Sequence, residues 1–427
     1  MTDRVHMGSE LAFHDDLVDG PGLHALIVGV SDYQNLPSKK DPRPRSKYNT
    51  LGLLKLSCAA RSAYRLYHWL VQAQDGLPQR LKSCRLLLSP TECERDGLPP
   101  GLKFAAATRA NFVRAAHDWR IAAGSHRDNV ALFYFAGHGL AFTSISDVKD
   151  ILLLQDAFDV SGTRFEKTAL LNNLYVGMGF PDPHTTGADV ASRQLFLLDM
   201  CRTWPPELEG LPEPDTPTVF EYRGMPRAHE APMLCAAMPD AKAWGVEDDE
   251  SFFIKGLMAC LERGQAARPP DVPGRAGVWE IKVTSIYDAM NNHFEDLTGH
   301  SPPPGPHGSR VFDQPHGTGS FLVHTRKRAP EVKVKFSIEP AEARGLTHVH
   351  VFKEGTDHPI ETIPFSTPGL PDPYPYVRFL SAGEYLVDAT IDHPGSAMYR
   401  GRERKRETFL PPVWPWSHDC NGGLDAP

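Results

Sequence analysis

The chain reads as an α/β protein, with a mostly parallel sheet carrying helices on both faces and a carboxy-terminal all-β, sandwich-like domain. Three observations predict this. The runs Asn129 to Leu140 and Gln194 to Asp199 are apolar, aromatic-rich and too short for lone helices, and Gly137 stops the first, so they read as strands buried on both faces. Strand-like and helix-like stretches alternate from Leu23 onward, a rhythm that implies right-handed crossovers and a parallel sheet. Past Lys327, Val332, Val334, Phe336 and Ile338 alternate with Lys333, Lys335 and Ser337, the period-two signature of a half-buried strand.

The chain has 427 residues, and single cores seldom grow beyond about 250–300 residues, so two domains are expected. The divisions fall at 1–22 for an amino-terminal extension, 23–326 for the sheet domain and 327–427 for the β domain.

Leu23 to Val30 is the first central strand, and Ser31-Asp32-Tyr33 is its exit loop. Lys39 to Lys47 is a surface loop. Leu54 to Gln74 places Ala59, Ala63, Leu66, Trp69 and Leu70 at helical spacing and stops at Gly76. Cys84 to Leu88 is a second strand. Thr108 caps a helix over Arg109 to Ala123, its hydroxyl accepting an orphan N–H for about 1 kcal/mol. Ile151 to Leu154 is a short β piece in a flap beyond His138, and Phe165 to Leu174 reads as a helix.

Prolines from Pro205 to Pro232 exclude regular structure there, and a long irregular loop inside a compact domain is usually functional or cleavable. Met233 to Met238 returns to strand. Phe252 to Arg263 is a helix, and Trp279 to Phe294 contains another. Ser301 to Gly308 is a hinge. The second domain has further strands at Thr347 to Phe352, Ile360 to Phe365, Tyr376 to Leu380 and Tyr385 to Ile391, which suits a small antiparallel sandwich. Phe379 to Val387 resembles the turn into a late strand of prealbumin-like or immunoglobulin-like modules. The basic run Arg400 to Arg406 reads as solvated.

A net charge of -8 leaves no basic excess for neutralising phosphates, so nucleic acid is not an expected partner. Seven scattered cysteines without a CxxC pair fit a reducing cytoplasm. No apolar run of about 18 residues supports a membrane span, and Met1 to Asp19 lacks a signal-peptide core. No cofactor or metal is expected. Histidine and cysteine spacings do not suit zinc, and the acidic run Glu247 to Glu250 reads as a solvated loop.

His138 lies between Gly137 and Gly139 just past a strand's carboxyl end, the edge where chemistry gathers in open α/β sheets. Cys201 follows the second run in the same way. A cysteine nucleophile needs a base, exposure and donors for an oxyanion, and glycines let backbone N–H groups approach a substrate. The bland alternative makes Cys201 a core thiol and His138 a turn residue.

Tyr134-Phe-Ala-Gly-His-Gly139 together with Leu198-Asp-Met-Cys-Arg202 resembles the histidine and cysteine motifs of the caspase-like cysteine peptidases, the clan of caspases, metacaspases and bacterial relatives. The histidine precedes the cysteine, as in caspases, where the gap is about 50 residues. Ala25 to Tyr33, Met233 to Ala243 with Phe252 to Leu257, and Gln314 to Leu322 are similar to further pieces of the family in the same order, so the resemblance covers roughly 23 to 325. It implies a cysteine endopeptidase in which Cys201 attacks the scissile carbonyl, His138 is the general acid and base, and the N–H groups of Gly139 and Cys201 form the oxyanion hole.

In metacaspases an acid two residues before the nucleophile reads a basic residue ahead of the cut. Asp199 occupies that position, with bracing of the neighbouring loop as its alternative role. A second acid expected in the first helix is replaced by Ser62, which is expected to line the substrate pocket with Asp199, and Arg61 lies beside it. A basic preference would make Arg223 and Arg227 candidate self-cleavage sites, unless that loop is only a lid. The resemblance implies a protein or peptide substrate, a role as effector in bacterial stress, cell-death or anti-phage pathways, and a regulatory partner recruited by the second domain. The rival expectations are a catalytically silent scaffold or sensor, and a different hydrolase or transferase that uses the same dyad.

Overall fold

The computed structural model describes residues 10–17, 20–38, 51–143, 148–157, 165–205, 208, 216–237, 243, 248–271, 277–300, 312–313, 319–339, 341–364, 375–391 and 401–420. The expected loop at Lys39 to Lys47 and the hinge at Ser301 to Gly308 lie outside them.

In chain order the elements begin β1 (Leu11–His14), β2 (Leu23–Val30), α1 (Ala59–Gln72), β3 (Leu81–Ser89), α2 (Glu92–Asp96), α3 (Arg109–Ala123) and β4 (Val130–Gly137). Next come β5 (Gly139–Thr143), β6 (Val148–Leu153), β7 (Thr168–Leu170), α4 (Leu171–Gly177), β8 (Arg193–Met200), β9 (Met233–Cys235) and α5 (Phe252–Leu261). They continue with β10 (Trp279–Lys282), α6 (Val283–Asn292), α7 (Phe294–Thr298), β11 (Phe312–Asp313), β12 (Leu322–Arg326) and β13 (Glu331–Glu339). The last are β14 (Thr347–Lys353), β15 (Glu361–Pro364), β16 (Tyr376–Ser381), β17 (Gly383–Ile391), β18 (Gly401–Phe409) and β19 (Val413–Asp419). They fall into two compact units, 1–258 with 282–324, and 259–281 with 325–427.

The first unit holds a seven-stranded sheet in the order β1-β3-β2-β4-β8-β9-β11. The five inner strands are parallel, and β1 and β11 close the edges antiparallel. Every residue of β2 and β4 is buried, as parallel strands covered on both faces require. Alternation sorts their side chains. Leu26, Val28 and Val30 join Phe133, Phe135, Phe196 and the α3 residues Phe112 and Trp119 in one core. Gly29 faces α1, where a Cβ would meet the Ala59 carbonyl at 2.7 Å and the Ala63 methyl at 2.6 Å, so glycine and alanines let helix and sheet touch.

Several elements differ from the sequence reading. The supposed extension contributes β1, anchored by buried Glu10, which accepts from Arg114 at 2.9 and 3.1 Å. The expected helix at Phe165 to Leu174 begins as β7, because pairing with β6 outweighs local propensity, and the helix runs over Leu171–Gly177 instead. The short helix α2 was not expected.

That helix carries a capping box. Thr91 accepts from the Glu94 N–H at 3.4 Å, and Glu94 Oε2 accepts from the Thr91 N–H at 2.9 Å. The other oxygen of Glu94 reaches α1, accepting from Ser31 Oγ at 2.9 Å and the Arg61 N–H at 3.2 Å, while Ser31 Oγ accepts from the Ala60 N–H at 3.0 Å. The N-cap residue of α1, Cys58, makes no side-chain capping bond. A buried carboxylate 33 positions away therefore caps the helix through space, with the sign the helix dipole favours. Thr108 caps α3 as expected.

In the second unit, β16-β13-β19 and β15-β14-β17-β18 form two sheets. Val332, Val334, Phe336 and Ile338 share one core with Val349, Val351, Val387, Phe409 and Trp416. The expected all-antiparallel arrangement is corrected by β13 and β19, which run parallel with Lys333 opposite Val413. The basic run is β18, fully paired to β17, with exposed side chains from Arg402 to Arg406.

Glu94→Ala is expected to lower stability by about 2–4 kcal/mol, since α2 loses the carboxylate half of its capping box, α1 loses the acceptor of the Arg61 N–H, and buried donors are orphaned. Denaturant melts of the two proteins check it, and Glu94→Gln should recover part of the loss.

Candidate functional site

The parallel strands β4 and β8 are adjacent, with Gly137 opposite Met200. Neighbouring strands lie about 4.8 Å apart, so the next residues, His138 and Cys201, leave the sheet side by side at its carboxyl edge. Tyr33 leaves the same edge just past β2, the neighbour of β4 on the other side. His138 is 8% exposed, and Cys201 is partly exposed. No two of the seven cysteines form a disulfide.

His138 is held at three atoms. Its N–H donates to the Tyr33 hydroxyl at 2.7 Å, its carbonyl accepts from the Leu153 N–H at 3.1 Å, and Nε2 meets the Leu54 carbonyl at 2.7 Å. A carbonyl oxygen only accepts, so Nε2 carries the proton and Nδ1 is the basic nitrogen. Burial pushes the imidazole down to about 4, against the Leu54 hydrogen bond, so the ring is neutral at pH 7. The Tyr33 ring lies 5.0 Å from the imidazole.

Gly139 begins β5 and stands opposite Leu152. His138 and Leu153 form the hydrogen-bonded pair before it, so alternation along an antiparallel ladder turns the Gly139 N–H away from β6. A Cβ at Gly139 would lie 2.3 Å from Met200 Sδ and 2.8 Å from the Cys201 carbonyl, so this approach of the two strand tips demands glycine. Beyond the cysteine, Arg202 forks onto Asp150 of β6 with two bonds of 2.7 Å, both side chains nearly inaccessible. This buried pair ties the post-cysteine segment to the flap of β5, β6 and β7.

Asp199 stands beneath this edge. Its Oδ2 accepts from Tyr134 Oη at 2.9 Å and from Ser251 Oγ. Burial raises its carboxyl to about 6, against those two hydrogen bonds. Ser251 also caps α5, accepting from the Ile254 N–H at 3.2 Å, so Asp199 braces the loop entering that helix. Ser62, expected to line a binding pocket, is corrected: it is fully buried, and its Oγ accepts the Ser251 N–H at 3.0 Å, so it seats Ser251. Cys58, close to Asp199 and Glu94, is pushed up to about 12, mostly by burial. Arg61 donates to the Asp248 carbonyl, which fixes its guanidinium on this same loop.

Glu247 lies outside the described residues. Asp249 pairs with Lys255 and Glu250 with Arg65, and among the described residues no group of three or more acids, histidines or cysteines is arranged to hold a metal. The Cys201 thiol donates weakly to the Ala243 carbonyl at 3.8 Å.

No protein-family model matches the chain, and neither does any curated protein. Among solved structures it is similar to protein GSU0716 from Geobacter sulfurreducens, with a TM-score of 0.39 and 14% identity over 70% of this chain and 95% of that one. A likeness that remote carries no functional argument.

Arg223 and Arg227 both sit in an exposed stretch, residues 221–228. Its ends are clamped. Asn173 Oδ1 accepts the Val219 and Phe220 N–H groups at 2.6 and 2.7 Å, and Arg120 donates to the Glu221 carbonyl at 3.0 Å. On the far side the Arg227 N–H donates to the Gly179 carbonyl at 2.8 Å. Leu54, Tyr33, Tyr134 and Ser251 are site residues that sequence reasoning missed. The Ser31-Asp32-Tyr33 exit from β2 carried a signal, as a polar turn at a strand's carboxyl end, and Tyr134 opens the histidine motif without a role of its own.

Two predictions follow from these contacts. The carboxyl of Asp199 keeps its proton to about pH 6 in the folded chain, whereas its ordinary value is 3.8, so the native state loses stability as pH rises between them and stays lower above pH 6. Asp199→Asn is therefore expected to stabilise the protein by on the order of 2–3 kcal/mol at pH 8 and by nothing below pH 4, measured by melts across that range. Added trypsin is expected to nick after Arg223 before Arg227, whose amide is tied down, and the nicked halves should co-elute in gel filtration. Mass spectrometry of the fragments reads the order.

Proposed function

We propose that the protein is a caspase-like cysteine endopeptidase, with Cys201 as nucleophile and His138 as its base. The observation that carries the reading is the in-register end of β4 and β8, which sets an imidazole with a free basic nitrogen beside a partly exposed thiol. A neutral imidazole is the form that accepts a proton.

In this mechanism the Cys201 S–H proton passes to His138 Nδ1 as the sulfur bonds to the scissile carbonyl carbon. The oxyanion takes hydrogen bonds from the Gly139 and Cys201 N–H groups, and one such donor is typically worth about 10²–10³ in rate. Collapse breaks the C–N bond, Nδ1–H protonates the leaving amine, and a thioester remains. Water then attacks the thioester, giving its proton to Nδ1, and the thiol is released.

Both hydrogen bonds to Asp199 fall on Oδ2, which favours Oδ1 as the oxygen turned to a cationic side chain of the substrate. The reading therefore includes cleavage after a basic residue, with recognition weakening as pH falls through about 6 and the carboxyl takes up its proton. A cytoplasmic effector role in bacterial stress, cell death or defence against phage, with the second unit recruiting a regulatory partner, belongs to the same reading. The rival, a silent scaffold, is favoured only by the deep burial of His138.

A fluorogenic peptide library with Arg, Lys or Asp before the cut tests the proposal, with Cys201→Ala as control. The expected result is turnover of Arg and Lys peptides that the control abolishes. A preference for Asp would remove the role given to Asp199, and no turnover of any peptide would favour the scaffold.

A further inference from the structure

The Tyr33 side chain is fully buried, yet its hydroxyl sits inside a main-chain ladder. It accepts the His138 N–H at 2.7 Å and donates to the Leu153 carbonyl at 3.1 Å. The register of β5 on β6 sets His138 opposite Leu153, and the Leu153 N–H does donate to the His138 carbonyl, as in an ordinary hydrogen-bonded pair. The reciprocal bond of that pair, from the His138 N–H to the Leu153 carbonyl, is replaced by the phenol. Burial keeps that phenol protonated, against the hydrogen bond from the His138 N–H, so it always offers one donor and one acceptor.

A second observation concerns Gly137. A Cβ there would lie 2.8 Å from the Tyr33 hydroxyl, so the glycine before the histidine clears the space that the phenol fills. Tyr33, Gly137 and Leu153 are thus three parts of one joint.

We infer that Tyr33 is a positioning residue for the His138 and Cys201 pair: its hydroxyl wedges the ladder open at His138 and sets where that backbone stands relative to the cysteine strand. This rests on the peptidase reading. Without the wedge, the His138 N–H closes directly onto the Leu153 carbonyl at about 2.9 Å, which draws the histidine toward β6 by on the order of 2 Å. A displacement of 1 Å at a reacting group can cost about 10²-fold.

The test uses the full chain with Tyr33→Phe and Gly137→Ala, the second keeping the phenol but pushing it aside. Two readouts are taken well below the melting temperature: kcat and KM on the best basic peptide, and the rate of Cys201 alkylation by iodoacetamide across pH. The expected result for both variants is a kcat about 10- to 100-fold lower with KM within about threefold, and alkylation that rises only toward the ordinary thiol value of about 8.5. A purely structural role would lower the melting temperature while leaving the kcat and KM split and the alkylation profile at wild-type values. That result overturns the inference, and so does failure of both variants to fold. If the wild-type protein cleaves no peptide and alkylates no faster than a free thiol, the peptidase reading itself has failed and the inference goes with it.

Discussion

The arrangement depends on the register between two parallel strands. β4 and β8 are paired along their full length, from Val130 opposite Arg193 to Gly137 opposite Met200. A slip of one residue would reverse the faces of every side chain on one strand, burying Asp199 in the wrong layer and turning Cys201 away from His138. The aromatic core of Phe133, Phe135 and Phe196 makes that slip costly, because these rings fill one face of the two strands and pack with Trp119 of α3 in one core. The apolar layer below the sheet edge thus sets the geometry of the polar groups above it.

Around this register the polar groups form two linked networks. One caps helices: Glu94 and Ser31 close the start of α1, and Ser251 closes the start of α5 while binding Asp199. The other fixes the strand tips: Leu54, Tyr33 and Leu153 hold His138, and Asp150 holds Arg202. Each uses a buried donor or acceptor whose loss would orphan its partner, a cost of about 1–3 kcal/mol per group. Fully satisfied networks of this kind are rigid, and rigidity is what a site needs to hold reacting atoms in place.

The central strands were legible because burial on both faces writes a continuous apolar run, and the glycines around His138 marked the strand's end. The alternation over Val332 to Ile338 was legible for the same kind of reason, since only one face of β13 is buried. Other features left no local trace. β18 has a charged sequence and is a strand only because β17 pairs with it, and β19 carries Pro415 and mixed burial. Tyr33 lies 105 positions from the amide it binds, and Ser251 lies 52 from Asp199. Ser62 showed its position in the helix but not its partner, so its burial beneath Ser251 could not be read from sequence.

The central claim is that the ring of His138 and the sulfur of Cys201 act together at an open strand edge. Site-resolved mass spectrometry of iodoacetamide labelling at Cys201, in the wild-type chain and in His138→Ala at pH 7, tests it most directly. The account predicts that labelling at this one cysteine slows by at least tenfold when the imidazole is removed, while the other six keep their rates. Equal rates at Cys201 in the two proteins would contradict it.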